Sequence, residues 1–299
     1  MVLLKVLTIC VVVFVIVCLI SIWYASTHFH KVYYRLSSDK ISKPVKFVLL
    51  SDLHDKEYGV NNCKLLQAID TEKPDAVLVA GDMVTARKKD EGHYSAVSIK
   101  LISELTKRYA VYYGLGNHEA KMRWSRKLFG EQFEEYMREL KDTGAVILQN
   151  RHCKMDRFPV CIYGLDMERM YYKRFETCPM SEDYLTEKLG MPKEEYYNIL
   201  LAHNPAYFDQ YALWKPDLVL SGHVHGGLVR LPFLGGVISP ALKLFPKYDG
   251  GKFSIGDSTM ILSRGLGFHS VEFRMWNQAE LVVISLEPTS MCEQLDNKE

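Results

Sequence analysis

Five short apolar runs, each ending in side chains able to bind metals, constrain this 299-residue chain more than any other feature. They are "VKFVLLS" (45–51), "AVLVA" (76–80), "AVYYG" (110–114), "NILLAH" (198–203) and "DLVLSGH" (217–223). Each has the length of a strand, and none alternates polar with apolar residues, so both faces should be buried. Helical stretches, roughly 61–72 and 93–108, separate the first three. Strands alternating with helices imply βαβ units and a largely parallel sheet, whose strands end along one common edge. The stretch 124–142 is amphipathic, with Phe129, Phe133, Tyr136, Met137 and Leu140 on one face, and Gly144 stops it. A strand over 145–150 and a hairpin over 151–164 come next. Residues 166–195 give no clear pattern, and "STMILSRGLG" and "ELVVISL" (280–286) supply the last strands.

The residues immediately after each run are specific. Asp52 and His54 stand as D-x-H, Gly81 and Asp82 as G-D, and Gly116 to Glu119 as G-N-H-E. His203 precedes Asn204 and Pro205, and His223 and His225 stand as G-H-x-H. Extended chain points alternate side chains the same way, so His223 and His225 share a face. The surrounding glycines let the backbone turn and approach closely. Each motif alone has an ordinary explanation: a capped turn, an N-cap, a turn asparagine, a packed core histidine. Five strand ends carrying such groups together are not explained by capping, and a metal site is. Open α/β sheets bind their ligands at this edge.

In this order the motifs resemble the calcineurin-like metallophosphoesterases, over about Lys46 to Leu286. "RLPFLGG…FPKYDGG", "LSRGLG" and "NQAELVVISL" are similar to the bacterial membrane-linked branch that includes the YaeI and YkuE phosphodiesterases. The resemblance implies an α/β (α+β) fold, a four-layer αββα sandwich of two mixed sheets with helices outside. In that fold the C-terminal strands should build the second sheet. It also implies two divalent metal ions, Mn, Fe or Zn, with Mn favoured. Asp52, His54 and His225 would hold one, Asn117, His203 and His223 the other, and Asp82 would bridge them. Neutral imidazoles suit such ions, whereas a magnesium site would hold more carboxylates and water. A metal-bridging hydroxide would attack phosphorus, and His118 would stabilise the transition state or protonate the leaving group. The chain departs from the pattern at Glu119, where bacterial relatives usually carry Asp, and at Thr85, where an acid is common.

The N-terminus adds a second theme. Val6 to Ala25 carries no charge, and twenty helical residues span about 30 Å, the thickness of a bilayer's hydrocarbon. Trp23 and Tyr24 sit where interfacial aromatics lie, and their bulk argues against a signal-peptidase site before Ala25 or Ser26. The organisation expected is a transmembrane anchor (1–25), a polar, basic juxtamembrane linker (26–43), a catalytic domain (44–288) and a tail (289–299). Lys31, Arg35, Lys40 and Lys43 outweigh Lys5 across the span, which favours a cytosolic domain. Seven scattered cysteines without CxxC spacing read as free thiols. A net charge of +1 gives no reason to expect nucleic acid. The reading is a membrane-anchored phosphoesterase for a small-molecule or lipid phosphodiester or phosphomonoester. Two alternatives stand beside it. One is a pyrophosphatase for a lipid-linked nucleotide such as a UDP-acyl-sugar, suggested by the apolar loop 228–246. The other is a non-catalytic metal-binding scaffold.

Overall fold

The computed structural model describes residues 1–88, 96–173, 176–231, 233–238, 244–268 and 273–290. Its centre is set by period-two burial in strands covered on both sides. In β2 (Val45–Leu50), Phe47 and Leu49 face one cluster while Val48 and Leu50 face another. Alternate side chains leave opposite faces of a strand, so two apolar layers flank it.

Among the described residues the first sheet has six strands in the order β1 (Phe29–Ser38), β14 (Ala279–Pro288), β2, β3 (Ala76–Ala80), β4 (Ala110–Gly114) and β5 (Val146–Leu148). The second has β12 (Gly251–Ile255), β13 (Ser258–Leu262), β9 (Leu218–Ser221), β8 (Tyr197–Ala202), β7 (Val160–Leu165) and β6 (Arg151–Lys154). Phe47, Leu49, Leu78, Ile199, Leu201 and Leu220 fill the space between the sheets. Outside the first sheet, α2 (Cys63–Glu72), α3 (Ala96–Thr106) and α6 (Gln132–Asp142) bury Leu65, Ile69, Leu101, Leu105, Tyr136 and Leu140. Outside the second, α7 (Tyr184–Leu189) and α8 (Phe208–Leu213) bury Leu185, Phe208 and Tyr211. The result is the four-layer αββα sandwich that the motifs implied.

Several expectations need correction. The largely parallel sheet read from the βαβ pattern covers only part of the fold, and the sheets are mixed as the resemblance implied: β2 to β5 are parallel, but β14 is antiparallel to β2, and β6 and β12 are antiparallel edges. Of the C-terminal strands, β13 joins the second sheet while β14 returns to the first. The stretch read as a linker, 26–43, contains β1, a ten-residue strand parallel to β14. An edge strand keeps one side wet, so its charges disguised it; Lys31 pairs with Glu72 at 2.6 Å and Arg35 with Glu287 at 3.4 Å. Gly130, at φ 63°, splits 124–142, leaving Arg126–Phe129 as α5 before α6. Residues 166–195 supply a 3₁₀ turn, Arg169–Tyr172, and α7. Within the apolar loop 228–246, β10 (Val229–Leu231) and β11 (Gly235–Ile238) form an antiparallel pair. Positions 232 and 239–243 of that loop, and 291–299 of the tail, lie outside the described residues.

The N-terminal segment is one helix, α1 (Val2–Thr27), long and apolar enough to cross a membrane.

Candidate metal centre

β2, β3 and β4 are parallel, and so are β8 and β9, so each sheet delivers its loops to one edge. Asp52 and His54 lie after β2, Asp82 after β3, and Asn117 and His118 open α4 (Asn117–Trp124) after β4. His203 lies after β8, and His223 and His225 after β9. The structure thus brings together the carboxylates and histidines singled out in the sequence, with Asn117 next to His118 at the start of α4. Three groups, Asp52–His54–His225, His54–Asp82–His118 and Asp82–His203–His223, each hold ligand atoms within 4.8 Å of one another.

The backbone is bent to achieve this. Asp52, His54, Asp82, His223 and His225 have φ between 49° and 75°, in the left-handed region that costs L-residues free energy. Two glycines permit the close approach. A Cβ on Gly222 would lie 1.9 Å from Ser51 Oγ, and one on Gly116 would lie 2.2 Å from Asp82 Oδ1. Backbone amides fill the space instead: His223 N–H donates to Asp52 Oδ1 at 2.9 Å and His118 N–H to Asp82 Oδ1 at 2.7 Å.

The side chains crowd like charges and lone pairs in a way that a cation would resolve. His54 Nε2 and His225 Nε2 stand 3.2 Å apart, and His225 Nε2 is 3.2 Å from Asp52 Oδ1. Asp82 Oδ2 lies 3.1 Å from His203 Nε2 and 3.8 Å from His54 Nε2, between the two halves. Asp52 and Asp82 are fully buried. Burial opposes their ionisation, but His225 and His203 hold Asp52 below the usual carboxylate range, and His203 and His118 hold Asp82 well below it. Burial also opposes a charge on His203, yet Asp82 and Asp52 raise it to about 10. The two carboxylates thus favour positive charge at this ring, as they would favour a cation beside it. His203 Nδ1 lies 2.6 Å from the Ala80 carbonyl, which holds the ring proton there and turns Nε2 to the site. Asn117 Oδ1 is buried without a hydrogen-bond partner, as an oxygen ligand awaiting a cation would be. The donor set, two carboxylates, one amide and four imidazoles, fits a pair of borderline divalent ions.

His118 is placed differently. Its Nδ1 accepts a hydrogen bond from Ala86 N–H at 3.0 Å, so the neutral ring carries its proton on Nε2. Burial, then Lys121 and the neighbouring histidines, overcome the pull of Asp82 and lower its pKa. His118 packs edge-on to His54 at 4.7 Å. Thr85, in the place of the missing acid, sets its Oγ1 3.4 Å from His54 Nδ1.

Several participants were not legible in the sequence. Glu119 accepts from the amides of Asp82, Met83 and Gly116, each at 3.0 Å, and from Tyr113 Oη at 2.8 Å. It clamps the β3 and β4 loops together. Tyr172, from the stretch without a pattern, lies against His223 at 5.5 Å. Asn277 donates to the carbonyls of His225 and Gly227, both at 2.6 Å, and buried Arg274 reaches His225 Nδ1 at 3.3 Å. The sequence held traces of two of them, Glu119 closing G-N-H-E and Asn277 inside "NQAELVVISL", but no local pattern gives the role of either.

The calcineurin-like phosphoesterase family model matches residues 45–227, from the first residue of β2 to the glycines after His225. The chain belongs to the calcineurin-like phosphoesterases. An uncharacterized metallophosphoesterase of Campylobacter jejuni is 28% identical over 253 residues, covering 83% of this chain and 60% of that one. This chain thus spans less than two thirds of that relative's length. The uncharacterized metallophosphoesterase YkuE of Bacillus subtilis is 24% identical over 247 residues, covering 82% of this chain and 80% of that one. Among solved structures, a 5′-nucleotidase precursor from Thermus thermophilus is 14% identical with a TM-score of 0.45, covering 85% of this chain and 58% of that one. Calcineurin-like phosphoesterases use a dinuclear metal centre, and candidate ligands for one are in place here.

Proposed function

We propose that this protein hydrolyses phosphodiester or phosphomonoester bonds at a dinuclear centre, held to a membrane by α1. The observation that carries the reading is the position of Asp82, whose carboxylate lies within 4 Å of histidines from both halves of the site. Asp52, His54 and His225 would hold one ion, Asn117, His203 and His223 the other, with Asp82 shared and manganese the first choice. When bound, the two cations supply Lewis acidity, acidifying a water and offsetting charge on the phosphate. The residues do the rest. Two carboxylates among these ligands leave half the charge of two dications uncancelled, so the pocket attracts a phosphate. His118 Nε2–H is oriented by the Ala86 amide and would donate to the leaving oxygen. Glu119 keeps the Asp82 and Asn117 loops in register. The unit doing this work would be residues 44–288, with β1 completing its first sheet.

A second reading, a pyrophosphatase for a lipid-linked nucleotide, is favoured by one observation: Phe233 at the tip of the β10–β11 hairpin is fully exposed. The scaffold reading leaves the complete ligand set without a purpose. The deciding experiment is turnover by the full-length protein in mixed micelles, across Mn, Fe and Zn. The substrates would be bis-p-nitrophenyl phosphate, p-nitrophenyl phosphate and a nucleotide diphosphate lipid. Metal-dependent cleavage of at least one ester supports the reading, and cleavage of none with any metal contradicts it.

A further inference from the structure

The topology ties α1 to the edge of the domain that carries the metal ligands. β14 is antiparallel to β2, and its register places Ala279 level with the loop that begins at Asp52. β1 pairs parallel with β14, Phe29 opposite Ala279. The helix that ends at Thr27 therefore leaves the domain at the edge where Asp52 lies, not at the opposite one.

A second connection runs through the segment before β14. Met275 exchanges hydrogen bonds with β10: Arg230 N–H donates to Met275 O, and Met275 N–H to Leu228 O, both at 3.1 Å. The next residue, Trp276, donates its amide to Ser21 Oγ at 3.0 Å, and its ring meets Phe14 at 6.3 Å. The hairpin beyond the last candidate ligands is thus bridged to a segment that touches α1. Its tip, Phe233, is about 10 Å from Arg230 along extended chain.

Depth is set by helical rise. The 26 residues of α1 span about 39 Å against about 30 Å of hydrocarbon. With Val2 flush with the far boundary, roughly six residues protrude on the domain side, which sets Ser21 at the near boundary. With Lys5 in the far headgroups instead, Ser21 lies deeper. In either setting Trp276, touching both Ser21 and Phe14, sits at or inside the boundary. The hairpin then meets the lipid, and its side chains suit that contact: Phe233 is fully exposed, and Leu234, Leu244 and Phe245 are more than half exposed. Four large apolar side chains from one short region are an unusual group to leave in water.

We infer that the metal-bearing edge faces the bilayer, with the β10–β11 hairpin and residues 244–245 inserted into its interface. The site then opens beside the lipid headgroups, and a phosphoester there would reach it without leaving the membrane. This inference rests on reading α1 as a membrane span, and the test separates the two.

The experiment uses the full-length chain in phosphatidylcholine vesicles, with or without bromine on the acyl chains. Phe233→Trp adds a fluorophore at the hairpin, and Met191→Trp adds one at an exposed position just before β8 begins, at the opposite edge. Relative to the wild type, the Phe233→Trp signal should be blue-shifted and lose most of its intensity to brominated lipid. The Met191→Trp signal should be lost to acrylamide instead. Release of the chain by alkaline carbonate would overturn the anchor and the inference together. Retention with an acrylamide-accessible Trp at 233 would overturn the inference alone. A blue shift that grows with protein concentration and ignores bromine would mean a second copy covers the hairpin, and would also overturn it.

Discussion

The candidate metal centre and the β10–β11 hairpin lie on one edge of the domain and break opposite rules. The centre buries two carboxylates and three imidazoles with too little compensating charge, at backbone angles that residues with side chains avoid. The hairpin does the reverse and leaves Phe233, Leu234, Leu244 and Phe245 outside. Neither is a stable arrangement for its own sake. Buried charge implies a cation, and exposed hydrocarbon implies an apolar partner. The departures from ordinary packing thus identify what each region is built to meet. Elsewhere the sandwich obeys the rules: Phe47, Leu49, Ile199 and Leu220 are fully buried between the sheets.

If the centre is what this contrast makes it, removing its shared charge should have the largest effect. Asp82→Asn should lower the occupancy of both ions and abolish measurable turnover, because two cations would face each other with less intervening charge. Elemental analysis and hydrolysis of bis-p-nitrophenyl phosphate check this together; normal metal content with normal activity would take Asp82 out of the role. Next comes His118→Ala, which should cut kcat by roughly 10²–10⁴-fold with metal content unchanged. The deficit should shrink for esters with good leaving groups, which need no proton. Loss of metal would instead make His118 a ligand.

A smaller effect is expected one layer out. Glu119→Gln keeps the shape but gives an amide in place of the carboxylate that three backbone amides and Tyr113 address. Activity or metal affinity should fall about 10–100-fold, and Glu119→Asp, which keeps the charge, should recover part of it. An unchanged enzyme would show that the clamp is dispensable. The smallest effect belongs to the hairpin. Phe233→Ser in the full-length chain should leave turnover of a soluble diester unchanged. Its turnover of a vesicle-embedded phosphoester should drop about tenfold, the equivalent of about 1.5 kcal/mol of lost apolar burial. Equal rates for variant and wild type on both substrates would leave the hairpin without a role in lipid access.

The same physics decides how much the sequence disclosed. Strands buried on both faces read as continuous apolar runs, so β2, β3, β4, β8 and β9 and the groups after them could be found by inspection. β1 could not, because an edge strand mixes Lys31 and Arg35 with Val32 and Leu36 and looks like a polar connector. The return of β14 to the first sheet depends on pairing with β2 across more than two hundred residues, and no local pattern records it. The supporting cast was hidden for the same reason: Glu119 acts on an amide 37 positions away and Asn277 on a carbonyl 52 positions away. The candidate ligands were legible as types and spacings. The groups that hold them were not.

The most direct test of the central claim is metal content and turnover on one sample of the full-length protein. The ions are stripped with a chelator and then returned in measured equivalents of Mn. Hydrolysis of bis-p-nitrophenyl phosphate should vanish on stripping and return as the content approaches two ions per chain. Full activity in the stripped protein, or saturation at a single ion, would contradict a dinuclear site built on Asp82.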